Sequence, residues 1–414
     1  MTGAQHEPSD SARDAADPAI SKGDSAIARA RRFVLAMGIV AMLGDLTYEG
    51  ARSISGPYLA LLGASATAVG AIAGAGELAG YALRVVSGWL ADRTRAHWPM
   101  VALGYGINLV AVPGLALTGR WEHAAVLVVL ERIGKALRSP SKSALMATAG
   151  AHIGHGKAFG LEEALDQIGA VGGPLIVAGV MALRAGDPAD ASRAAFAALA
   201  IPVLGTLAVL RFANRRLALP EPAEHASTKP AAREGLGARF EWTLAAIGMV
   251  GFGFPDWAIV AVHAGREGLL GPGSLPIAYA VVMGVDGAAA LAFGSLFDRI
   301  GLRALALGCA LGAIAPFLSF SDSMVPFVVG SLLWAIALGA LESISKAAIA
   351  ASVSPGSRGR AYGLFFGVFG VAWWLGSTAL GALYDASPMW AAAVSTGAQA
   401  LGAITLLVIA RTRG

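Results

Sequence analysis

The chain of 414 residues is 56% hydrophobic and 14% charged, with a formal net charge of +4 at pH 7. A soluble domain typically carries about 25% charged residues, so this chain has too few charges to cover two or three soluble domains. One cysteine excludes an intramolecular disulfide and a cysteine metal cluster, and the small positive charge does not by itself indicate nucleic-acid binding. The composition therefore favours an integral membrane protein.

Residues 1–30 are predicted to form a cytoplasmic tail. The first 28 residues are polar and rich in alanine, serine and aspartate, without the apolar core and cleavage pattern of a signal peptide. Such a composition cannot bury enough apolar surface to fold by itself, so the tail is expected to be disordered.

Twelve apolar stretches follow the tail. Each can cross the roughly 30 Å hydrocarbon core of a bilayer as a helix of about 20 residues, and the breaks between them are rich in glycine, proline and charge. The sequence therefore predicts an all-α membrane protein with twelve transmembrane helices. The predicted spans, numbered 1 to 12 in chain order, are 33–54, 67–90, 98–118, 122–145, 157–183, 191–213, 241–263, 275–297, 302–320, 324–350, 360–384 and 389–410.

The longest polar break divides the chain near its middle, at 214–240. It contains three prolines, and six basic residues lie between Arg211 and Arg239. This segment is predicted to be a cytoplasmic linker that joins a six-helix bundle at 31–213 to a second six-helix bundle at 241–414.

The distribution of basic residues predicts the orientation. With the N-terminus inside, the cytoplasmic segments hold 20 Lys and Arg residues and the outer loops hold 4. Because cytoplasmic loops carry the excess of Lys and Arg, both termini are predicted to be cytoplasmic, which requires an even number of spans. The expected location is the cytoplasmic (inner) membrane, as a multi-pass protein.

Two short motifs occur once in each half. Residues 88–93 read Gly-Trp-Leu-Ala-Asp-Arg and residues 294–299 read Gly-Ser-Leu-Phe-Asp-Arg, directly after spans 2 and 8. Residues 157–160 and 360–363 read Lys-Ala-Phe-Gly and Arg-Ala-Tyr-Gly, where spans 5 and 11 begin. Two matches in the same order indicate an internal repeat and hence two pseudo-symmetric bundles.

The motif Gly-x-Leu-x-Asp-Arg, after span 2 and again after span 8, resembles the signature loop of the major facilitator superfamily. Within that superfamily, the chain resembles bacterial proton-coupled members. The resemblance covers the chain from about residue 30 onward and assigns no subfamily. It implies two six-helix bundles that rock around a central cavity to give alternating access. It also implies that spans 1, 4, 7 and 10 line the cavity and that spans 2, 5, 8 and 11 flank it.

The two signature loops are predicted to form a conformational latch on the cytoplasmic side. A carboxylate and an arginine can pair with each other and with a neighbouring helix end in one state of the alternating-access cycle. In the other state, these pairs are broken. The alternative is a plain charged turn. The latch residues are Gly88, Asp92, Arg93, Gly294, Asp298 and Arg299.

Span 5 carries a pattern that resembles the span-5 motif of proton-coupled antiporters in the same superfamily. Gly160, Gly169 and Gly173 are spaced by nine and four residues, and Pro174 follows. The glycines share one helix face and allow close packing, and the proline removes one backbone hydrogen bond. A generic tight contact between helices is the alternative.

Charged residues inside the spans are concentrated in the N-terminal half. Charge at membrane depth is costly and usually faces a cavity, and in span 1 Asp45 and Arg52 share a helix face because they are seven residues apart. We therefore predict a charged surface along a pathway for substrate and protons. Its residues are Asp45, Glu49, Arg52, Glu77, Arg84, Glu131, Arg132, Arg138, Glu162, Asp166, Asp286 and Glu342.

Four carboxylates are predicted to lie near mid-membrane from the 1.5 Å rise per helical residue: Asp45, Glu77, Asp166 and Asp286. A carboxylate there without a cationic partner can carry a proton near neutral pH, because desolvation disfavours the charged form. An adjacent arginine would instead hold it ionised. The sequence leaves open which of these charges are paired in fixed salt bridges.

The predicted function is secondary active transport by a monomer in the lipid bilayer. It would export a small polar or charged organic compound with the proton as coupling ion, without cofactor, metal or nucleic acid. Proton-coupled uptake of a charged metabolite and a non-transporting scaffold or sensor are the alternatives. An enzyme is not expected, since the sequence has no His-Glu-x-x-His, no Gly-x-Ser-x-Gly and no phosphate-binding loop.

Overall fold

The computed structural model describes residues 18–184, 186–217, 236–354 and 357–411. These residues are almost entirely helical, and no β-strand occurs among them, which confirms the predicted all-α fold class. Most of the predicted tail and most of the predicted linker, 1–17 and 218–235, lie outside the described residues.

A helix occupies each of the six predicted spans of the N-terminal half. Span 6 is divided into two helices, and short 3₁₀ and π turns extend spans 3 and 6 at Leu115–Leu117 and Ala213–Leu217. The helices are Pro18–Leu61, Ala66–Thr94, His97–Gly114, Trp121–Ile153, His155–Leu183, and the pair Pro188–Ala198 and Ala200–Phe212.

The C-terminal half has a similar arrangement, in which span 7 is the divided one. Its helices are the pair Gly237–Gly253 and Trp257–Arg266 for span 7, then Leu275–Ile300, Leu302–Ser319, Met324–Ala351, Arg358–Ala386 and Pro388–Arg411.

The helix of span 1 begins earlier than expected, at Pro18. The prediction of a disordered tail is therefore wrong for residues 18–30. Residues 26–32 are rich in alanine and arginine, which are strong helix formers, so the membrane helix continues backward into the polar stretch.

Spans 1 and 4 differ from the other spans in composition. Ten helical segments of the described chain are long and apolar enough to cross a membrane by themselves, and spans 1 and 4 are not among them. Several of their charged residues are nevertheless buried, with Glu49, Glu131 and Arg138 only 7%, 6% and 3% exposed. Because charge at membrane depth is tolerated where protein surrounds it, these two spans belong in the interior of their bundle.

The packing of the helices within each half agrees with the interior position of spans 1 and 4. Span 1 packs mainly against span 5, and span 4 packs against spans 2 and 3. In the C-terminal half, span 9 packs against spans 10 and 12, span 8 against span 10, and the first helix of span 7 against spans 11 and 12.

The two halves meet through equivalent pairs of spans. Span 2 packs along span 11, and span 5 packs along span 8, as the internal repeat requires. Span 1 also contacts the second helix of span 7. At the predicted outer end, the backbones of spans 2 and 11 touch directly, because Gly70 faces the backbone of Ser377 and Gly381 faces the backbone of Ala66.

Span 7 was predicted as one helix but is broken near its centre. The first helix ends at Gly253 and the second begins at Trp257. Pro255 cannot donate a helical hydrogen bond, and the Asp256 side chain accepts a hydrogen bond from the backbone N–H of Ala258, at 2.9 Å. Asp256 therefore caps the second helix, and this cap places a carboxylate inside the protein at mid-span.

Candidate functional site

Buried ion pairs join spans 1, 2 and 4 inside the N-terminal half. Arg132 Nη1 lies 2.8 Å from Glu77 Oε1, and Arg132 Nε lies 3.7 Å from Glu131 Oε2. Arg52 Nη2 lies 3.9 Å from the same Glu77 oxygen. Four residues predicted for the pathway thus form one network. Within it, Glu77 is held between two guanidinium groups.

Two further contacts extend this network into the C-terminal half. Arg52 Nη2 lies 3.7 Å from Asp256 Oδ2 at the cap of the second helix of span 7. The Tyr279 hydroxyl of span 8 donates a hydrogen bond of 2.5 Å to Glu49 Oε2. Sequence reasoning did not assign Asp256 or Tyr279 to the site. The pair Pro255-Asp256 inside an apolar run is a helix-start signal that identifies the first of them.

Other cations of the N-terminal half lie on tyrosine rings. Lys135 Nζ and the Arg132 guanidinium lie 3.6 and 4.6 Å from the centre of the Tyr48 ring. Arg138 lies 4.4 Å from the centre of the Tyr105 ring. Cation–π contacts of this kind are strongest when desolvated, so they help to hold the positive charges of Lys135 and Arg138, which form no ion pair within the described part of the chain, inside the bundle. Arg84, at the predicted cytoplasmic side, lies 5.5 Å from the centre of the Tyr81 ring.

A second group of charges lies nearer the predicted cytoplasmic side, between spans 1, 4 and 5. Lys142 Nζ lies 2.7 Å from Glu162 Oε1. Asp166 lies within electrostatic reach of Asp45 and of Lys142. The structure thus brings together Asp45 and Asp166, two of the carboxylates predicted at mid-membrane, and neither forms an ion pair within the described part of the chain.

Asp286 and Glu342 stand on the opposite wall, in spans 8 and 10. They are electrostatic neighbours of each other, and Glu342 also lies within reach of Glu77 in span 2. Asp286 Oδ1 is buried and has no hydrogen-bond partner in the ranges that the structure describes. Beside it, Gln167 of span 5 donates a 2.7 Å hydrogen bond to the Met283 carbonyl of span 8.

An inter-half clamp closes the predicted outer end, and the sequence did not predict it. The Asp385 carboxylate of span 11 accepts hydrogen bonds from the backbone N–H groups of Ala66 and Thr67, at 3.0 and 2.8 Å, and from the Thr67 hydroxyl at 2.8 Å. Arg266 lies 3.4 Å from the same carboxylate. A negative charge at the first turn of span 2 is also favoured by the helix dipole, so the clamp joins the two halves. We name this set of contacts the outer clamp.

The residues of the two signature loops lie apart from such contacts. Asp92 Oδ1 lies 4.0 Å from His97 Nε2, and Arg93 lies 5.5 Å from the centre of the Trp89 ring, all within the N-terminal half. The equivalent residues of the second loop, Asp298 and Arg299, are exposed, as are Asp92 and Arg93. Gly88 is in contact with Pro140 of span 4, whereas Gly294 has open space around it. The predicted latch role stays a prediction.

The glycine face of span 5 packs against span 1. A Cβ atom at Gly169 or Gly173 would collide with the backbone of Met42 or Leu46, whereas a Cβ atom at Gly160 would meet nothing within 4 Å. The motif is therefore a tight helix contact over its second and third glycines.

Alanine at Gly169 is expected to lower the free energy of unfolding by about 1–3 kcal/mol, because the colliding atoms belong to a helix backbone that cannot turn aside. Gly160→Ala on the same helix is the matched control and is expected to be neutral or slightly stabilising. Denaturant unfolding in detergent micelles measures both. Equal destabilisation by the two variants would contradict the packing account.

Comparisons with known proteins agree with this arrangement. No family model matches the chain. It is 38% identical over 384 residues to uncharacterized proteins of Mycobacterium tuberculosis and Mycobacterium bovis, and the alignments cover 89% of this chain and 92% of each relative. An uncharacterized MFS-type transporter of Methanocaldococcus jannaschii is 28% identical over 138 residues, which cover 33% of this chain and 34% of the relative.

Solved transporters share the fold at low identity. A peptide transporter POT in complex with sulfate has a TM-score of 0.76 at 15% identity, covering 91% of this chain and 94% of that one. The nucleoside transporter NupG has a TM-score of 0.70 at 13% identity, with 92% and 100% covered. A bacterial homologue of the human lysosomal transporter Spinster has a TM-score of 0.66 at 17% identity, with 91% and 94% covered.

The resemblance that the duplicated signature loops indicated is thereby confirmed: the chain belongs to one family with the mycobacterial proteins, and its fold is that of the major facilitator superfamily.

Proposed function

We propose that the protein is a secondary transporter that moves a small polar or charged organic compound across the cytoplasmic membrane by alternating access, and that it exports this compound in exchange for protons. One observation carries the proposal. Charged side chains from spans 1, 2, 4, 5, 8 and 10 converge between the two halves, while the outer clamp joins the halves at the predicted outer end.

Alternating access is supported by the inter-half contacts at the predicted outer end. At the predicted outer end the halves share the outer clamp and the backbone contact at Gly70. At the predicted cytoplasmic end, Asp92 and Asp298 of the signature loops are exposed. Contacts that hold the two halves together at one end are expected in one of the two states that rocking bundles require.

Proton coupling is supported by carboxylates without a fixed cationic partner. Asp45 and Asp166 lie close together between spans 1 and 5, and Lys142 beside them is engaged by Glu162. Two neighbouring carboxylates in a desolvated site cannot both remain ionised at low cost, so one of them is suited to bind and release a proton during the cycle.

The proposal is tested by flux in proteoliposomes. Compounds that raise the melting temperature of the purified protein, taken from a panel of metabolites and drugs, are assayed with and without an imposed pH gradient. The gradient is expected to drive flux, and Asp45→Asn or Asp166→Asn is expected to abolish the dependence on pH while substrate exchange continues. Asp322→Asn, an exposed carboxylate outside the spans, is the control and should leave coupling unchanged.

The direction in which the compound moves under a pH gradient distinguishes export from uptake. When the side that corresponds to the cell exterior is made acidic, an antiporter should move the compound toward that side, and a symporter should move it away. Flux that ignores the gradient would reject proton coupling. A protein that binds nothing from the panel and carries no flux would favour a scaffold or sensor.

A further inference from the structure

A small cavity of about 40 Å³ lies between spans 1 to 4 and the start of the second helix of span 7. One side is apolar, formed by residues such as Val69 and Val128, and the other side is formed by charged groups. The charged residues are Arg52, Glu131, Arg132 and Asp256. One internal water needs roughly 10–15 Å³, so the cavity has room for water.

Three polar atoms on this wall have no hydrogen-bond partner in the described portion of the protein. They are Glu131 Oε1, Asp256 Oδ2 and Arg52 Nε. Glu131 and Asp256 are 6% and 2% exposed. The Arg52 Nη2 atom lies 3.7 Å from Asp256 Oδ2, which is an ion pair but is too long for a hydrogen bond. Buried polar atoms in native proteins are nearly always hydrogen-bonded to protein or to ordered water, so three atoms without a hydrogen bond around one cavity indicate a ligand that satisfies them together.

The hydrogen-bonding roles and charges of these atoms indicate which class of ligand fits the cavity. Two are carboxylate oxygens that accept, and one is a guanidinium N–H that donates. An anion would be repelled by the carboxylates, and a metal cation would be repelled by Arg52 and Arg132. Water can donate two hydrogen bonds and accept a third, and buried waters typically make about three hydrogen bonds.

We propose that this cavity binds water that bridges Glu131 of the N-terminal half to Asp256 of the C-terminal half, and that a proton passes between the two carboxyl groups through it. The forward step begins after Glu131 has taken up a proton: the Glu131 carboxylic acid gives a proton to the water, and the water gives a proton to Asp256 Oδ2. Glu131 becomes a carboxylate beside Arg132, Asp256 becomes neutral, and the water is regenerated.

This proton transfer would change the contact between the halves. Arg52 and Asp256 form an inter-half ion pair at 3.7 Å, and a neutral Asp256 no longer attracts the guanidinium by its charge. The water site does not depend on the proposed transport function, whereas its role in the transport cycle rests on that function. The other charged or titratable groups that face the two carboxyl groups are Glu49, Glu77, Arg132, Lys135, Arg138 and Tyr279.

The test uses purified full-length protein in lipid nanodiscs without substrate. Spin labels on cysteines introduced at Gly119 and Gly271, in loops of the two halves, report the distance between the outer ends as pH is lowered. Cys309 is buried and does not compete for the label. The wild type is expected to show a pH-dependent increase in the population with a long distance, and Glu131→Gln or Asp256→Asn is expected to abolish it.

Ala73→Val tests the water itself, because Ala73 lines the cavity and two added methyl groups displace water without changing any charge. It is expected to abolish the pH response, and Val69→Ile, on the same apolar side, is the second variant if Ala73→Val does not fold. Ala82→Val on the same helix is exposed and is the matched control. Glu122→Gln, an exposed carboxyl group at the start of span 4, controls for loss of charge.

A pH response that survives both Glu131→Gln and the cavity-filling variants would overturn the inference, even if proton-driven flux is found. A response that these variants abolish, in a protein without any detectable flux, would support the water site and reject the transporter proposal. The two proposals can therefore fail separately.

Discussion

Replacing Arg52 with alanine is expected to lower the free energy of unfolding by about 3–5 kcal/mol and to abolish any transport. Arg52 is the only residue in the described network that contacts a carboxylate of each half, Glu77 at 3.9 Å and Asp256 at 3.7 Å. Removing it leaves Asp256, which is 2% exposed, as a buried charge without a cationic partner in the described network. Breaking a buried ion pair from one side typically has this cost.

A double variant distinguishes the loss of the Arg52–Asp256 ion pair from the cost of leaving the buried Asp256 charge uncompensated. Arg52→Ala combined with Asp256→Asn is expected to recover a substantial part of the stability, because the second change removes the uncompensated charge. Arg120→Ala is the control, since its pair with Glu122 is at the surface, with side chains 70% and 43% exposed, and exposed pairs contribute little. Unfolding in detergent micelles measures all three. A double variant no more stable than Arg52→Ala would contradict the network.

Replacing Asp385 with alanine is expected to shift the protein toward a state that is open at the predicted outer end. The change removes three hydrogen bonds to the start of span 2 and the contact with Arg266. Loss of a helix cap costs about 0.5–2 kcal/mol, and a change of one or two kcal/mol alters a two-state ratio by a factor of about 5–30. The distance between spin labels at Gly119 and Gly271 measures the shift.

Two comparisons make this result specific to the clamp. Asp385→Asn retains one acceptor oxygen and is expected to have an intermediate effect. Asp322→Ala removes an exposed carboxylate that contacts Ser323 of its own loop and is expected to leave the distance distribution unchanged. An unchanged distribution in Asp385→Ala would show that the close backbone contacts near Gly70 hold the outer end without the clamp.

Much of the architecture could be predicted because each span is a local pattern. Apolar length, polar breaks and the repeated Gly-x-Leu-x-Asp-Arg motif are all read along the chain, and they predicted the helices, the two halves and the superfamily fold. The failures were also local. The helix of span 1 extends back to Pro18, and span 7 is broken by the Pro255-Asp256 pair. Both differences follow from the helix propensities and capping preferences of individual residues, which a hydropathy pattern does not include.

The partners of the intramembrane charges could not be predicted. The sequence placed Glu77 and Arg84 seven residues apart on one span, yet Glu77 pairs with Arg132 of span 4 and with Arg52 of span 1. Arg84 lies on the ring of Tyr81 instead. A helix periodicity fixes which residues share a face, but it does not fix which neighbouring helix meets that face.

The sequence was sufficient to predict that the chain crosses a membrane, that it consists of two related halves and that its intramembrane charge is concentrated in spans 1, 2, 4 and 5. These properties depend on composition and on spacing along one helix. The contacts of Arg52 with Asp256, of Tyr279 with Glu49 and of Asp385 with the first N–H groups of span 2 are visible only in the folded protein. Each of these contacts joins residues of different halves that lie far apart in the sequence, and it exists only because the two bundles pack against each other.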